Sequence, residues 1–449
     1  MEKFDFGPFN GESLRGSESC VVVEENRYNS MNIKLIYFWK KLEFALHICM
    51  LVILMGAFVA LWRQMSGFPY DPVDGDPIQR NILLLGYLIT IPTILFYTKN
   101  ALRVVIRSPV PWLMTLWAAL SILWSGSPDI TFRRVIAILL TTLYSLVLYL
   151  RYPYKSFFRL LGIAFFIAIL SSLLMVVVKP EWGIMSSVHE GAWQGVFVHK
   201  NSLGKVSVFA IWTFNALWSS NHNPQQRMFW ASAFVLGVVT LIGSQSASAL
   251  VIASATGLGV VLLRIRRPWR KAWPIFLLIT LVIGTSIVLL VIQNSEVLLE
   301  ALGRDISLTG RIPLWNVLTP MGLARPLGYG YGAFWLGWNG PSAEVWSTLN
   351  WYLPNAHNGF LELWLNLGWL GLGLGLILLG KIFLEYFGAA LAGSEAAVFW
   401  ILFGIIIVTY NLVETTFFSQ NVIYWVLISY AYISTRSRKG WIVDSSKEK

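Results

Sequence analysis

An all-α, multi-pass membrane fold of about twelve transmembrane helices is predicted from three features of the chain. Hydrophobic residues make up 56% of its 449 positions and charged residues only 13%, too little polar surface to cover one water-soluble domain. The apolar residues arrive in runs long enough to cross a hydrocarbon core about 30 Å thick. The 22 Trp, 17 Tyr and 27 Phe suit a chain that repeatedly passes headgroup layers, where amphipathic rings settle.

Taken in order, residues 1–42 are polar and mixed in charge, without the apolar core and cleavage site of a signal peptide, and are expected to form a cytoplasmic tail. Nine spans are expected within 43–292, at about 44–62, 82–98, 110–124, 135–150, 157–178, 203–218, 228–243, 247–263 and 273–292. The segment 293–356 cannot span a bilayer and is expected to be one large loop. Three more spans follow within 357–434, at about 359–379, 396–413 and 421–433, ahead of a short tail at 435–449.

Charge counting orients this partition. With both termini in the cytoplasm, that side collects 24 of the 34 Lys and Arg and leaves ten outside, among them Arg304, Arg311 and Arg325 in the large loop. Such a bias over short loops is the positive-inside pattern, and it puts segment 293–356 on the outer, periplasmic face. The net charge of +11 is read as membrane topology rather than nucleic-acid binding. Cys20 and Cys49 make neither a disulfide framework nor a metal site.

Within the large loop, 295–302 has a helical apolar pattern, and Thr309-Gly310-Arg311-Ile312-Pro313 opens a second helix with a capping residue and a Pro in its first turn. Short helices lying on the membrane surface are expected here. Gly328-Tyr329-Gly330-Tyr331-Gly332 provides backbone that can turn sharply or approach a ligand closely; the bland reading is a flexible surface loop.

Polar side chains at membrane depth are costly and mark candidate sites. His199-Lys200-Asn201 with Lys205 sits at the outer mouth of the sixth span, where a helix N-terminus and two ammonium groups suit an anion. Headgroup snorkelling is the alternative for Lys200. Ser244-Gln245-Ser246-Ala247-Ser248 joins two spans with almost no loop and reads first as a tight packing site. Asn358, Glu362 and Asn366, spaced by four, form one polar stripe descending behind His357, so the stripe is expected to face a bundle cavity. Gly371 and Gly375 are a small-xxx-small pair for close packing.

His357-Asn358, nine residues, Gly368, two residues and Gly371 resembles the His-[Asn/Ser/Gln]-x9-Gly-x-x-[Gly/Thr/Tyr] signature of the O-antigen ligase and polymerase superfamily. Val196-Phe197-Val198-His199-Lys200-Asn201 is similar to the His-Lys-Asn segment of exopolysaccharide polymerases of the ExoQ type, and Gly310-Arg311 with Trp315 resembles their Gly-Arg-x-x-x-Trp loop segment. The resemblance is strong over 195–375 and elsewhere only one of topology.

It implies a bacterial inner-membrane glycosyltransferase that takes an undecaprenyl-diphosphate-linked oligosaccharide as donor and a sugar hydroxyl as acceptor, with neither metal nor cofactor. It also ties activity to a loop Arg and the signature His, here Arg311 and His357. Ligases commonly carry a further Arg in a Ser-Arg-Gly segment. The corresponding place is Ser244-Gln245-Ser246, and Gln245 cannot supply that charge, which points to the polymerase branch with Lys200 as substitute.

The chemistry of the residues agrees. Attack of a hydroxyl on an anomeric carbon needs a base and cations on the departing diphosphate, and His357 is assigned to the base or to acceptor positioning. Arg311 fits the diphosphate by bidentate hydrogen bonds. Lys200, Lys205, Asn201, Asn358, Glu362, Arg304 and Arg325 are assigned to substrate binding, with Glu362 either orienting His357 or contacting sugar hydroxyls. Expected partners are the lipid-linked oligosaccharide donor and acceptor, membrane lipids, and a flippase and chain-length regulator of the same pathway. The alternatives are a ligase that transfers glycan to lipid A core and a lipid-linked glycan transporter. The absence of an internal repeat and the gathering of polar groups at one face disfavour transport.

Overall fold

The computed structural model describes residues 33–67, 76–186, 189–265, 311–391 and 394–435. The predicted ninth span at 273–292, the helix at 295–302, Arg304, and residues 1–32 and 436–449 of the two tails lie outside the described residues. Contacts divide the chain into Met1–His47 and Ile48–Lys449. The elements described below belong to the second unit, apart from the start of the first helix.

The described chain is helical, and each predicted span other than the ninth meets a helix or a broken pair of helices. Among the described residues five helices are long and apolar enough to cross a membrane, or up to seven if each of two bent pairs is one span; Ala247–Leu258, Ala396–Asn411 and Ile423–Thr435 are shorter apolar helices. The protein is a multi-pass membrane protein. Leu84, Leu85, Leu88, Ile91 and Leu95 stand exposed, as lipid-facing side chains do.

Three local outcomes differ from simple spans. The first helix begins at Ile33, ahead of the predicted border at 43, because 33–42 already carries Ile, Leu, Tyr, Phe and Trp between its lysines. Its Phe38–Leu54 part is bent by 79° from Val59–Ser66 across Gly56 and Phe58, both at positive φ. The predicted third span is the second arm of another bent pair, Thr98–Arg107 and Pro109–Leu123 at 88°. Pro109 and Pro111 lack N–H groups, and Pro109 drives Ser108 out of helical geometry to φ −122°, ψ 64°.

Apolar burial drives little helix association inside lipid, so shape and interhelical hydrogen bonds hold the bundle. Trp425 Nε1 donates to Thr142 at 2.9 Å, Trp212 Nε1 to Thr256 at 3.0 Å, and Tyr87 and Thr141 share a bond of 2.9 Å. Phe157 stacks on Tyr430 with ring centroids 3.7 Å apart. Ser244-Gln245-Ser246 packs as expected: a Cβ on Gly204 would lie 2.8 Å from the Ser246 side chain and 3.0 Å from Ser244 Oγ.

The described part of the large loop, 311–356, is a folded cap rather than a mobile connection. Helices Arg311–Ala324 and Ser342–Leu349 close over a core of Leu314, Leu318, Met321, Phe334, Trp335, Val345 and Leu353, to which the following span contributes Leu365. The Gly328–Gly332 run packs against protein. Gly328, Gly330 and Gly332 all have positive φ and lie against Asn366, Ser125 and Arg134 respectively.

That packing explains the signature glycine. Within Gly359–Leu391 the backbone leaves the helix at Gly368, with φ 64° and ψ −163°, a region essentially reserved for glycine. The break frees three carbonyls. Tyr329 N–H donates to Leu365 O at 2.8 Å, Gly330 N–H to Asn366 O at 3.1 Å, and Trp117 Nε1 to Leu367 O at 3.0 Å; in return Trp369 N–H donates to Pro326 O at 3.0 Å. A Cβ at Gly368 would collide with Pro326 O, whereas Gly373 has nothing within 4 Å. Gly368→Ala is expected to lower stability by about 3 kcal/mol, combining overpacking with a forbidden φ, and to cut thermal survival in detergent. Gly373→Ala, measured alongside, should leave it unchanged; equal behaviour of the two would remove the packing role.

Candidate active site

The Gly359 helix starts where it does because Asn358 caps it: its Oδ1 accepts the N–H groups of Phe360 and Leu361, both at 3.0 Å. His357, one residue before the cap, is held at φ 47°, a left-handed conformation uncommon for a residue with a Cβ. Its N–H donates to Asn355 Oδ1 at 2.9 Å, and the same oxygen receives Thr415 Oγ1 at 3.4 Å. The turn that presents His357 is thereby tied to the loop following helix Glu395–Asn411. Trp351 lies over the imidazole, centroids 6.2 Å apart and planes within 13°.

Asn411 fixes that second loop by accepting the N–H groups of Thr416 and Phe417 at 3.0 and 2.9 Å. A Cβ on Gly359 would collide with Asn411 Oδ1, so the glycine after Asn358 lets the two elements meet. Between Asn411 and Thr416 lies Glu414, whose N–H bonds to Tyr410 O at 2.7 Å.

Glu414 is the residue sequence reasoning missed, and it is the hub of the site. Its Oε1 is 3.5 Å from Arg311 Nη2 and its Oε2 is 3.9 Å from His357 Nδ1. Lys205 bears on it electrostatically, with Nζ 5.7 Å and 5.5 Å from the ring centroids of Tyr410 and Tyr424. The Arg311 side chain is only 11% exposed and that of Glu414 14%. Burial opposes ionisation of Glu414, but the surrounding cationic groups, led by Lys205, outweigh it and hold the carboxyl below the usual range. Burial likewise pushes His357 down; Glu414 pulls the other way, and Arg311 and Lys205 add to the downward push. The net push is toward the neutral imidazole. One acidic signal was legible: Glu414 directly follows an apolar run, where an acid is costly without a partner.

The other predicted residues divide. Lys205 joins the cluster. Asn201 accepts from Ser246 Oγ at 3.0 Å, and Lys200 lies at the rim, its Nζ 3.4 Å from Gln245 O. His199, the cap before Lys200, accepts Asn201 N–H on Nδ1 at 3.2 Å, and its ring meets His189 edge to face at 5.4 Å. Arg325 is exposed and stacks on Tyr329, 5.6 Å from the ring centroid, so it takes no part in the described Arg311–Glu414–His357 contacts.

Glu362, assigned to substrate, has its carboxylate engaged internally. Oε2 accepts Trp335 Nε1 at 2.8 Å and Ala356 N–H at 2.9 Å, while Oε1 accepts Asn366 Nδ2 at 2.9 Å. Asn366 Oδ1 then receives Gly332 N–H at 2.7 Å. The polar stripe faces inward as expected, but toward the loop cap, which it staples to the span. Among the described residues no three His, Cys, Asp or Glu side chains are gathered as metal ligands would be.

Beside the charged cluster runs an apolar groove of about 320 Å³ lined by Trp315, Thr319, Phe360, Leu361, Trp364, Trp369 and Leu372, with Asn358 at its polar wall. Arg311, Trp315 and Thr319 are spaced by four on one helix face, so the groove is lined by the same helix that begins at Arg311.

Residues 232–376 match the family described as O-antigen ligase. The resemblance carried by the signature is thereby supported. The match takes in Arg311, His357, the kink at Gly368 and the whole described loop cap, and it ends before Glu414. The exopolysaccharide production protein ExoQ of Rhizobium meliloti (strain 1021) is 26% identical over 304 residues, which cover 65% of this chain and 68% of that protein. The family implies an enzyme that transfers glycosyl groups, acting as ligase or polymerase on lipid-linked glycans.

Proposed function

We propose that the protein polymerises undecaprenyl-diphosphate-linked oligosaccharide repeats into exopolysaccharide at the periplasmic face of a bacterial inner membrane, with both termini cytoplasmic. The observation that carries this reading is the half-buried Arg311–Glu414–His357 cluster beside an apolar groove. A lipid-linked diphosphate is complementary to both parts, with an anionic head for the cations and an apolar tail for the groove.

His357 accepts the proton of the acceptor sugar hydroxyl, and Arg311 takes the diphosphate oxygens in bidentate fashion, with Lys205 as a nearby point charge. Lys200 and Asn201 at the rim and Asn358 in the groove wall contact the substrate further out, and the assignments of Arg304 and Arg325 stand as contacts of the large loop with a second diphosphate. Two lipid-linked glycans bring two diphosphates, which favours a polymerase over transfer to lipid A core. The resemblance to ExoQ, whose name states exopolysaccharide production, points the same way. A flippase supplying the donor and a chain-length regulator are the partners such a reaction needs.

The test is direct. Purified protein in detergent, given lipid-linked repeats alone, is expected to yield a ladder of longer lipid-linked chains. Detergent leaves no compartments, so a transporter gives no product there, and a ligase gives product only when lipid A core is added.

A further inference from the structure

Glu414 is a largely enclosed acid, 14% exposed, that the reaction just described does not use. Its two oxygens point at two different partners and close on neither, standing 3.5 Å from Arg311 Nη2 and 3.9 Å from His357 Nδ1. Charge-assisted hydrogen bonds of this kind lie at about 2.7–2.9 Å. His357 Nδ1 is accordingly buried without a hydrogen-bond partner among the described residues, although its backbone is held by Asn355 and Trp351 lies nearly parallel to its ring with centroids 6.2 Å apart. The titratable and charged groups facing Glu414 are Arg311 on the loop helix, His357 before the Gly359 helix, Lys205 and His199 on helix Lys200–Ser220 and its cap, and Tyr410 and Tyr424.

We propose that Glu414 is the positioning residue of the base: shared between Arg311 and His357 in the empty site, it is given up by Arg311 when a lipid-linked diphosphate binds there and closes on His357 Nδ1. The proposal rests on the reading that the site transfers a glycosyl group from such a diphosphate. The diphosphate and Glu414 are both anions matched to the same guanidinium, so donor binding displaces the carboxylate from Arg311. The nearest open donor is then Nδ1–H of His357, and the closed bond fixes the tautomer with the Nε2 lone pair toward the acceptor.

The chemical step balances without a further reactant. The acceptor hydroxyl oxygen bonds to the anomeric carbon and its proton passes to His357 Nε2. The bond from that carbon to the diphosphate oxygen breaks, and its electron pair leaves on the diphosphate held by Arg311. Glu414 stays ionised and stabilises the imidazolium, the role a buried carboxylate plays beside a histidine base in acyl transfer. The base is thus completed only when the donor is in place.

The test uses full-length protein in detergent with lipid-linked repeats, measuring initial rates against donor concentration and pH for the wild type, Glu414→Gln and Glu414→Asp. Glu414→Gln is expected to lose about 10²–10⁴-fold in kcat, as carboxylate removal does in comparable dyads. The donor KM should be unchanged or lower, since Arg311 loses an internal competitor. The acid limb of the kcat profile should move to lower pH, because the carboxylate is the group that raises His357 while burial and the cations lower it. Glu414→Asp should keep the wild-type limb and recover part of kcat. A Glu414→Gln enzyme with normal kcat, or with a loss of kcat and an unmoved acid limb, would overturn the proposal. If Glu414→Gln does not accumulate as folded protein, Glu414→Asp decides: a displaced limb, or a defect in donor KM alone, overturns it. A wild type that transfers no glycan sinks the proposed function as a whole, whereas an active wild type with an indifferent Glu414→Gln removes only the role of Glu414.

Discussion

His357→Ala is expected to reduce glycosyl transfer by about 10²–10⁴-fold, the usual contribution of a positioned general base, in a protein that still inserts and folds. The imidazole is separable from the scaffold. Its Nδ1 bonds to nothing among the described residues, while the turn around it is held by the backbone bond to Asn355 and by the Asn358 cap. Mass spectrometry of lipid-linked intermediates from cells carrying the variant should show single repeats on undecaprenyl diphosphate and no long surface polymer. Long polymer accumulating on the lipid carrier would mean that another protein extends the chain, and the ligase reading would replace the polymerase.

Arg311→Lys is expected to lose about a hundredfold or more in kcat/KM although the formal charge is kept, on the scale of removing one donor from a preorganised anion site. Arg311 presents a planar fork from a nearly closed position, 11% exposed. An ammonium group brings one compact charge on a flexible stem and cannot span two diphosphate oxygens. Lys200→Arg should be far milder, because Lys200 sits at the rim against Gln245 O and outside the Arg311–Glu414–His357 contacts. Normal rates for Arg311→Lys at normal protein levels would show that Arg311 does not clamp the diphosphate.

The two residues behind these predictions are legible in the amino-acid sequence, and the reason is chemical. A His and an Arg in a chain with so few charges stand out, and their flanking glycines and tryptophan repeat a known spacing. Glu414 is not legible in the same way. It is distant in sequence from both partners, it lies in a short loop that belongs to no motif, and the carboxylate nearer to His357 in sequence is Glu362. That acid is engaged by Trp335, Ala356 and Asn366, so sequence proximity points to the wrong acid as the histidine's neighbour.

The glycines show the same division. Gly328, Gly330 and Gly332 announce unusual backbone, but whether it turns toward a ligand or toward protein depends on what lies opposite. Opposite lie the carbonyls freed at Gly368, which need donors because lipid offers none.

The class of molecule and the approximate places of its described helices are properties of the chain read locally, since water and hydrocarbon sort apolar runs and charges without reference to distant residues. The candidate base and the candidate cation belong to the same local record. Three other outcomes came from the folded arrangement: the described loop is a packed cap, the signature glycine is a break in a span, and Arg311, His357 and Lys205 converge on Glu414. They depend on contacts between residues far apart in sequence, where one carboxylate or one missing Cβ has meaning only once its neighbours are in place.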